Sequence, residues 1–328
     1  MTLLHHGTII TLDTSSPSPE ALLIDGDRVI ATGTLAQMRA RMEASPPTGE
    51  HSEIDLQGAT LIPGFNDNHL HAAIFGAHEE APDLRDLSAD EIVSLLKERF
   101  PKPRRRTLIV GYAWDYPSCP DPHRSILDEA FPHNPVLLSQ YGGHAAWVNS
   151  RALRLLGITR HTPDPPHGQI LRDARGEPTG ILREMARNKL NRKHIADMHL
   201  NRRRNYRLLS ISTSLLAEAG ITSVQDNTWF HQTVASLAKM RNRGELPVRV
   251  SCWSWPELKW SAWRMKHQHY DDLWVRRGPR KFFLDGTFTT HTAWLTEPYV
   301  GEPDNFGKGR DADEIEKMLE PSARDGVQ

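Results

Sequence analysis

Residues 61–72 read LIPGFNDNHLHA. An apolar run breaks at Pro63-Gly64, and two histidines then stand one residue apart, His69 and His71. Successive side chains of an extended segment point to opposite faces, so positions i and i+2 share one. A His-x-His at the C-terminal end of a strand therefore turns two imidazoles toward one point. Neutral imidazole is a common ligand for Zn²⁺ and related ions. Asp67, just ahead of the pair, adds a carboxylate. A bare His-x-His is equally consistent with two surface histidines, so the neighbouring sequence decides what the pair means.

Upstream, residues 7–12 (GTIITL) and 21–33 (ALLIDGDRVIATG) are β-rich, the second folding about Asp25-Gly26-Asp27. Residues 53–65 (EIDLQGATLIPGF) return to a strand pattern. A small β module over residues 1–60 thus feeds the strand that precedes the histidines. Residues 80–205 have another texture. Helical stretches (88–100, 149–158), strand candidates (107–114, 135–141) and a proline-rich hairpin (161–182) follow no simple period, which marks an insertion. After residue 205 the chain alternates. The amphipathic helix RLLSISTSLLAEAG ends at Gly220, then ITSVQD, HQTVASLAKMRNRG, LPVRVSCW, PELKWSAWRMKHQHY, RKFFLDG and DADEIEKMLEPSAR follow as β, α, β, α, β, α. Such alternation predicts a parallel sheet covered by helices. The expected strands are residues 61–66, 221–226, 247–253 and 280–285, adjacent and parallel.

The bulk properties exclude several classes. Across 328 residues, 25% are charged and the net charge is −1, so neither nucleic acid nor an anionic membrane is favoured as partner. Two arginine triplets, Arg104–Arg106 and Arg202–Arg204, read as solvated faces. Cys119 and Cys252 lie far apart and outside metal-ligand spacing, which fits a reducing compartment. The N-terminal stretch MTLLHHGTIITLD has no signal-peptide core. A cytoplasmic protein is expected, compatible with a homo-oligomer.

In its apolar strand, Pro-Gly and Asp-x-His-x-His, the stretch 61–72 resembles the metal-binding opening of the amidohydrolase superfamily. The blocks PVLLSQYGGHAAWVNSRALRLLGI, GEPTGILRE, AGITSVQD and RKFFLDGTFTTHTAWLTEPY occur in the order of the amidohydrolase-3 group, with its YtcJ-like proteins and N-substituted formamide deformylases. The resemblance implies an α/β fold: a small N-terminal β-sandwich (residues 1–60) and the first part of a (β/α)₈ barrel (61–328), with a large insertion after strand 1. It implies one or two divalent ions, zinc first, and a small-molecule substrate with a hydrolysable C–N bond, an amide or an N-substituted formamide. His69 and His71 would bind metal, and Lys281 would be a carboxylated lysine bridging two ions. His144 would contact substrate or polarise its carbonyl, or else make a structural hydrogen bond. Glu184 and Asp226 are acids expected to pair inside the fold. Asp285, His291 and Trp114 would line the substrate pocket, although many relatives carry arginine where His291 stands.

Full superfamily members add histidines from the fifth and sixth strands and an aspartate from the eighth, the general base for metal-activated water. Only four such strands are counted here. The expectation is an N-terminal piece of a longer enzyme, not competent by itself; a catalytically inactive truncated protein, or a half-enzyme needing a partner chain, are the alternatives.

Overall fold

The computed structural model describes every residue except 45–49, 142, 166–167, 188–197, 229, 257, 268–272, 287 and 289–292. The chain divides into two compact units, Met1–Phe65 and Asn66–Gln328. In the first, strands β1 (Thr2–His5), β2 (Thr8–Ile9), β3 (Ala21–Asp25), β4 (Arg28–Gly33), β5 (Ser52–Asp55) and β6 (Thr60–Leu61) form two sheets. One has the order β4-β3-β1-β5, and β2 pairs with β6 in the other. The β3–β4 hairpin turns at Gly26, whose φ of 57° lies in the left-handed region that glycine adopts without strain. Helix α1 (Leu35–Glu43) starts at a Thr34/Gln37 capping box and lays Met38 and Met42 on Leu3 and Leu23.

Leu61 ends β6 instead of opening the metal-site strand. Proline has no N–H to give a ladder, and the chain restarts beyond Pro63-Gly64 as β7 (Phe65–Leu70), followed at once by α2 (Ala72–Glu80). The expected first strand is therefore displaced toward the histidines it was meant to present.

The middle of the chain builds its own sheet. Helix α3 (Ala89–Arg99), β8 (Ile109–Trp114), α4 (Arg124–Ala130), β9 (Val136–Gln140), β10 (Ala145–Val148), α5 (Ser150–Leu156), β11 (Gly168–Arg172) and β12 (Pro178–Glu184) follow in turn. The five strands lie in the order β11-β12-β10-β9-β8. Only the β8–β9 pair is parallel; the other three pairs are antiparallel. Both faces are covered. Trp114, Trp147 and Leu138 pack with Ile92, Leu96 and Leu127 on one side, while Leu137, Val148 and Leu182 pack with Leu153 on the other. Asn149, the N-cap of α5, explains part of the WVNS block. Its Oδ1 accepts from the amides of Val136 and Ala152 and its Nδ2 donates to the Asn134 carbonyl, which satisfies a fully buried amide.

The last third returns to β7. Helix α6 (Arg202–Glu218), β13 (Ile221–Asn227), α7 (His231–Asn242), β14 (Arg249–Ser254), α8 (Lys259–His267), β15 (Val275–Arg280) and α9 (Ala312–Arg324) follow. The sheet order is β15-β14-β13-β7, so spatial order follows chain order. The β13–β14 and β14–β15 pairs are parallel, with Val224 opposite Val250 and Val250 opposite Val275. Those valines and Cys252 bury one face against Leu209 and Leu216 of α6 and Leu237 and Met240 of α7. Two expected strands match within a few residues; the fourth does not. Half of the observed segment VRRGPR is arginine and only Val275 in it is buried, because it is the edge of the sheet and needs no continuous apolar run. The apolar residues expected there, Phe283 and Leu284, lie beyond it at 41% and 47% exposure.

Helices α2 and α6 meet at Gly76. A Cβ there would sit 2.0 Å from the Leu208 carbonyl oxygen, backbone that cannot swing aside. Gly76→Ala should destabilise the fold by about 1–3 kcal/mol, the usual cost of overpacking. Urea denaturation measures it, and an unchanged midpoint would show that the two helices can separate freely.

Candidate metal centre

β7 and the start of α2 present the histidines. His71 occupies the N-cap position of α2 and makes no side-chain cap hydrogen bond. The cap comes instead from the neighbouring strand, where Asp226 Oδ1 accepts from the Ala72 amide at 2.7 Å. The other oxygen of Asp226 accepts from the Thr228 hydroxyl. With the helix end satisfied from β13, the His71 ring need not fold back on its own backbone. Its Nδ1 lies 3.2 Å from the Asn227 carbonyl oxygen. A carbonyl only accepts, so Nδ1 carries the proton and the ring's lone pair is on Nε2, the arrangement found in metal-ligating histidines.

The His69 and His71 ring centroids are 5.5 Å apart. Two imidazoles sharing one ion at about 2.1 Å per bond have centroids roughly 5–6 Å apart, so the pair fits a single ion. The His69 amide donates to Asp67 Oδ1 at 3.0 Å, which shapes the strand end, and its ring stands edge-on to Trp253 at 6.1 Å.

Burial sets the electrostatics. Desolvation holds His71 below the ordinary imidazole range; Asp226 opposes this, and His69 and Lys281 reinforce it. The ring is thus neutral near neutral pH, the form that ligates. Burial also pushes the Asp226 carboxyl up, against the hydrogen bonds from Thr228 and Ala72 and the nearby His71 and His69. Lys281 stands just past the end of β15, its amide donating to the Ser254 carbonyl at 2.9 Å. Its Nζ lies 5.1 Å from the centre of the Phe283 ring, in cation–π geometry.

The remaining sequence candidates have other surroundings. His144 Nδ1 is 3.0 Å from Glu184 Oε1 on the middle sheet, where the Glu184 amide also donates to the His144 carbonyl. Asp285 is exposed and accepts from the Trp294 amide at 3.0 Å. Trp114 is corrected: it is fully buried, its Nε1 donates to the Leu138 carbonyl at 2.9 Å, and it packs edge-on to Trp147, so it builds core and presents no surface to a substrate. His291 lies outside the described residues. In the N-terminal unit, His6 Nδ1 is 3.0 Å from Asp55 and His5 Nε2 is 3.0 Å from Glu53, which also holds Arg39.

Sequence reasoning missed His199. Desolvation pushes this buried imidazole down to about 4, with His71 adding to the effect. Its Nδ1 is 3.0 Å from the Thr233 hydroxyl, whose oxygen also accepts from Asn205 Nδ2. A lone histidine in DMHLN has no spacing signal that could have revealed it. Because the folded pKa lies below the unfolded value near 6.5, acid protonates the unfolded chain first, and stability is lost as pH falls from about 6.5 to 4. Between pH 7.5 and 5 His199 should account for a loss of about 2 kcal/mol. Urea melts of wild type and His199→Phe test this: the variant should show a shallower decline, and parallel declines would refute it.

With this geometry established, comparison with known proteins gives the class. The model of the Amidohydrolase family, Amidohydro_3, matches residues 52–328, and the chain belongs to that family. It is 30% identical to YtcJ of Bacillus subtilis (strain 168), over 98% of this chain and 61% of that protein. It is 35% identical to the N-substituted formamide deformylase of Arthrobacter pascens, over 57% of this chain and 34% of that protein. Among solved structures, a metal-dependent hydrolase from Pyrococcus furiosus covers the whole chain at TM-score 0.78 and 29% identity, with 66% of its own length matched. One from Pyrococcus horikoshii OT3, at TM-score 0.79 and 24% identity, shares the fold, with 64% of its length matched. The chain spans about three fifths of the length of the first of these relatives. No helix among the described residues is long and apolar enough to cross a membrane.

Proposed function

We propose that this chain carries the first metal ligands of a hydrolase that cleaves C–N bonds in small molecules, amides or N-substituted formamides. The observation that carries the reading is the His69–His71 pair, spaced for one ion and held by Asp226 and Asn227 from the adjacent strand. Within the same proposal, β7, β13, β14 and β15 are the first strands of a (β/α)₈ barrel, the middle sheet is an insertion after the first, and the N-terminal strands belong to a β-sandwich. The cytoplasm is the proposed compartment and zinc the proposed ion.

Once bound, a divalent ion supplies Lewis-acid activation of water and of a carbonyl. This chain's residues supply its seat. Asn227 orients His71 through Nδ1, and Asp226 fixes the helix start that carries it. Trp253 flanks His69 with an apolar ring. Lys281, if carboxylated, would exchange its contact with Phe283 for a bridging carbamate. The deformylase relative makes N-substituted formamides the first substrates to try.

A second reading, metal binding without turnover, is favoured by that Lys281–Phe283 contact, since an uncarboxylated amine leaves fewer than the three protein ligands usual in hydrolytic zinc sites. One experiment separates the two. The protein is loaded with zinc in bicarbonate, its metal content is measured, and hydrolysis of an N-alkylformamide is followed. Bound zinc with turnover that a chelator abolishes supports the hydrolase; bound zinc without turnover supports the second reading. A chain that retains no zinc after desalting would sink both.

A further inference from the structure

The two arginine triplets end at one hollow. A cavity of about 990 Å³ opens where the C-terminal ends of α2 and α3 meet the segment before β8 and the N-terminal parts of α5 and α6. Arg106 comes from the first triplet and Arg204 from the second. With Arg99, Arg151, Arg154 and Arg207 they place six guanidinium groups around the space, against the single carboxylate of Glu80. Arg207 pairs with that carboxylate, and Arg151 Nε donates to the Pro132 carbonyl at 2.9 Å. Neither His69 nor His71 lines it.

Three features define what would fill this space. The cations outnumber the acid six to one, so they repel one another until an anion enters. Every cationic side chain among the described lining, His133 apart, is arginine, whose planar fork matches phosphate oxygens in pairs where lysine offers a point charge. The N-terminus of the seventeen-residue helix α6 also lies here, marked by its N-cap Asn201, and adds the positive end of a helix dipole. Beside the charges runs an apolar wall that includes Phe100, Leu108, Val110 and Leu155. We infer that the cavity binds a small organic molecule bearing phosphate, its anionic group on the arginines and its apolar part on that wall. A nucleic acid backbone would need an extended basic track, whereas this hollow is compact and the chain's net charge is −1.

The test is calorimetric titration of the whole chain with inorganic pyrophosphate at low salt. EDTA is present throughout, so that metal at His69 and His71 plays no part. Saturable binding is expected, unchanged in His69→Ala. Arg106→Glu with Arg154→Glu should weaken it by at least ~10-fold, the loss of two charge-assisted contacts. Arg105→Glu with Arg203→Glu makes the same charge change on triplet residues outside the lining and should alter it by less than ~3-fold, since exposed charges are screened. If the first double variant melts early, Arg106→Gln with Arg154→Gln replaces it, with loss of binding again expected. Three results overturn the inference: no saturable heat, equal losses in both double variants, or displacement of pyrophosphate by an equimolar single-stranded oligonucleotide. The last would reassign the surface to nucleic acid.

Discussion

His71→Ala should weaken zinc binding by roughly 100-fold or more, since removing even an outer-shell partner of a ligand typically costs 10–100-fold. The fold should survive, because the α2 cap is supplied by Asp226 and not by the His71 side chain. His69→Ala should act in the same direction from a more exposed position. Competition with a chromophoric chelator gives the affinity and circular dichroism the fold. Unaltered zinc affinity in both variants, with the fold intact, would mean the ion sits elsewhere and the pair is a surface feature.

Asp226→Ala should destabilise the fold as well as the metal pair. It strands the Ala72 amide in a buried setting, while the Thr228 hydroxyl keeps the Asp226 main-chain carbonyl as an acceptor. An unsatisfied buried group costs about 1–3 kcal/mol, and the fold should lose about that much. Asp226→Asn retains an acceptor oxygen for Ala72 and should lose about half as much. Zinc affinity should also fall about 10–100-fold in the alanine variant, because the carboxylate fixes the backbone on which His71 stands. Chemical denaturation and the chelator assay give the two readouts. A variant within ~1 kcal/mol of wild type would show that the helix end finds another acceptor at little cost.

The histidine pair stood out through its i, i+2 spacing at a strand end, although the apolar run ahead of it belongs to β6 and β7 itself is largely exposed. The β/α rhythm after residue 205 was legible, and β13 and β14 fall where their apolar runs lie. Edges were not. Half of β15 is arginine, and the apolar Phe283-Leu284 segment that looked like strand remains half exposed beyond it. Trp114 was misread because an aromatic residue serves core and pocket equally well in sequence, and only its Leu138 hydrogen bond and Trp147 neighbour decide between them. The service that Asp226 performs for α2 crosses 154 residues of chain, a distance over which no local pattern operates. The arginine triplets looked like solvated faces for the same reason, since their meeting depends on where α3 ends and α6 begins.

The contact at Gly76 has a consequence for how such a chain can change over time. Four residues of helix separate it from His71, and its partner is main chain, which no compensating side-chain swap can shrink. The proposed metal seat is therefore tied to a backbone-to-backbone join. Loops and surfaces around the middle sheet can drift without disturbing that join. Position 76 cannot gain even a methyl group without moving the helix that starts at His71, so a lineage that loses this glycine should lose the spacing of the histidine pair first.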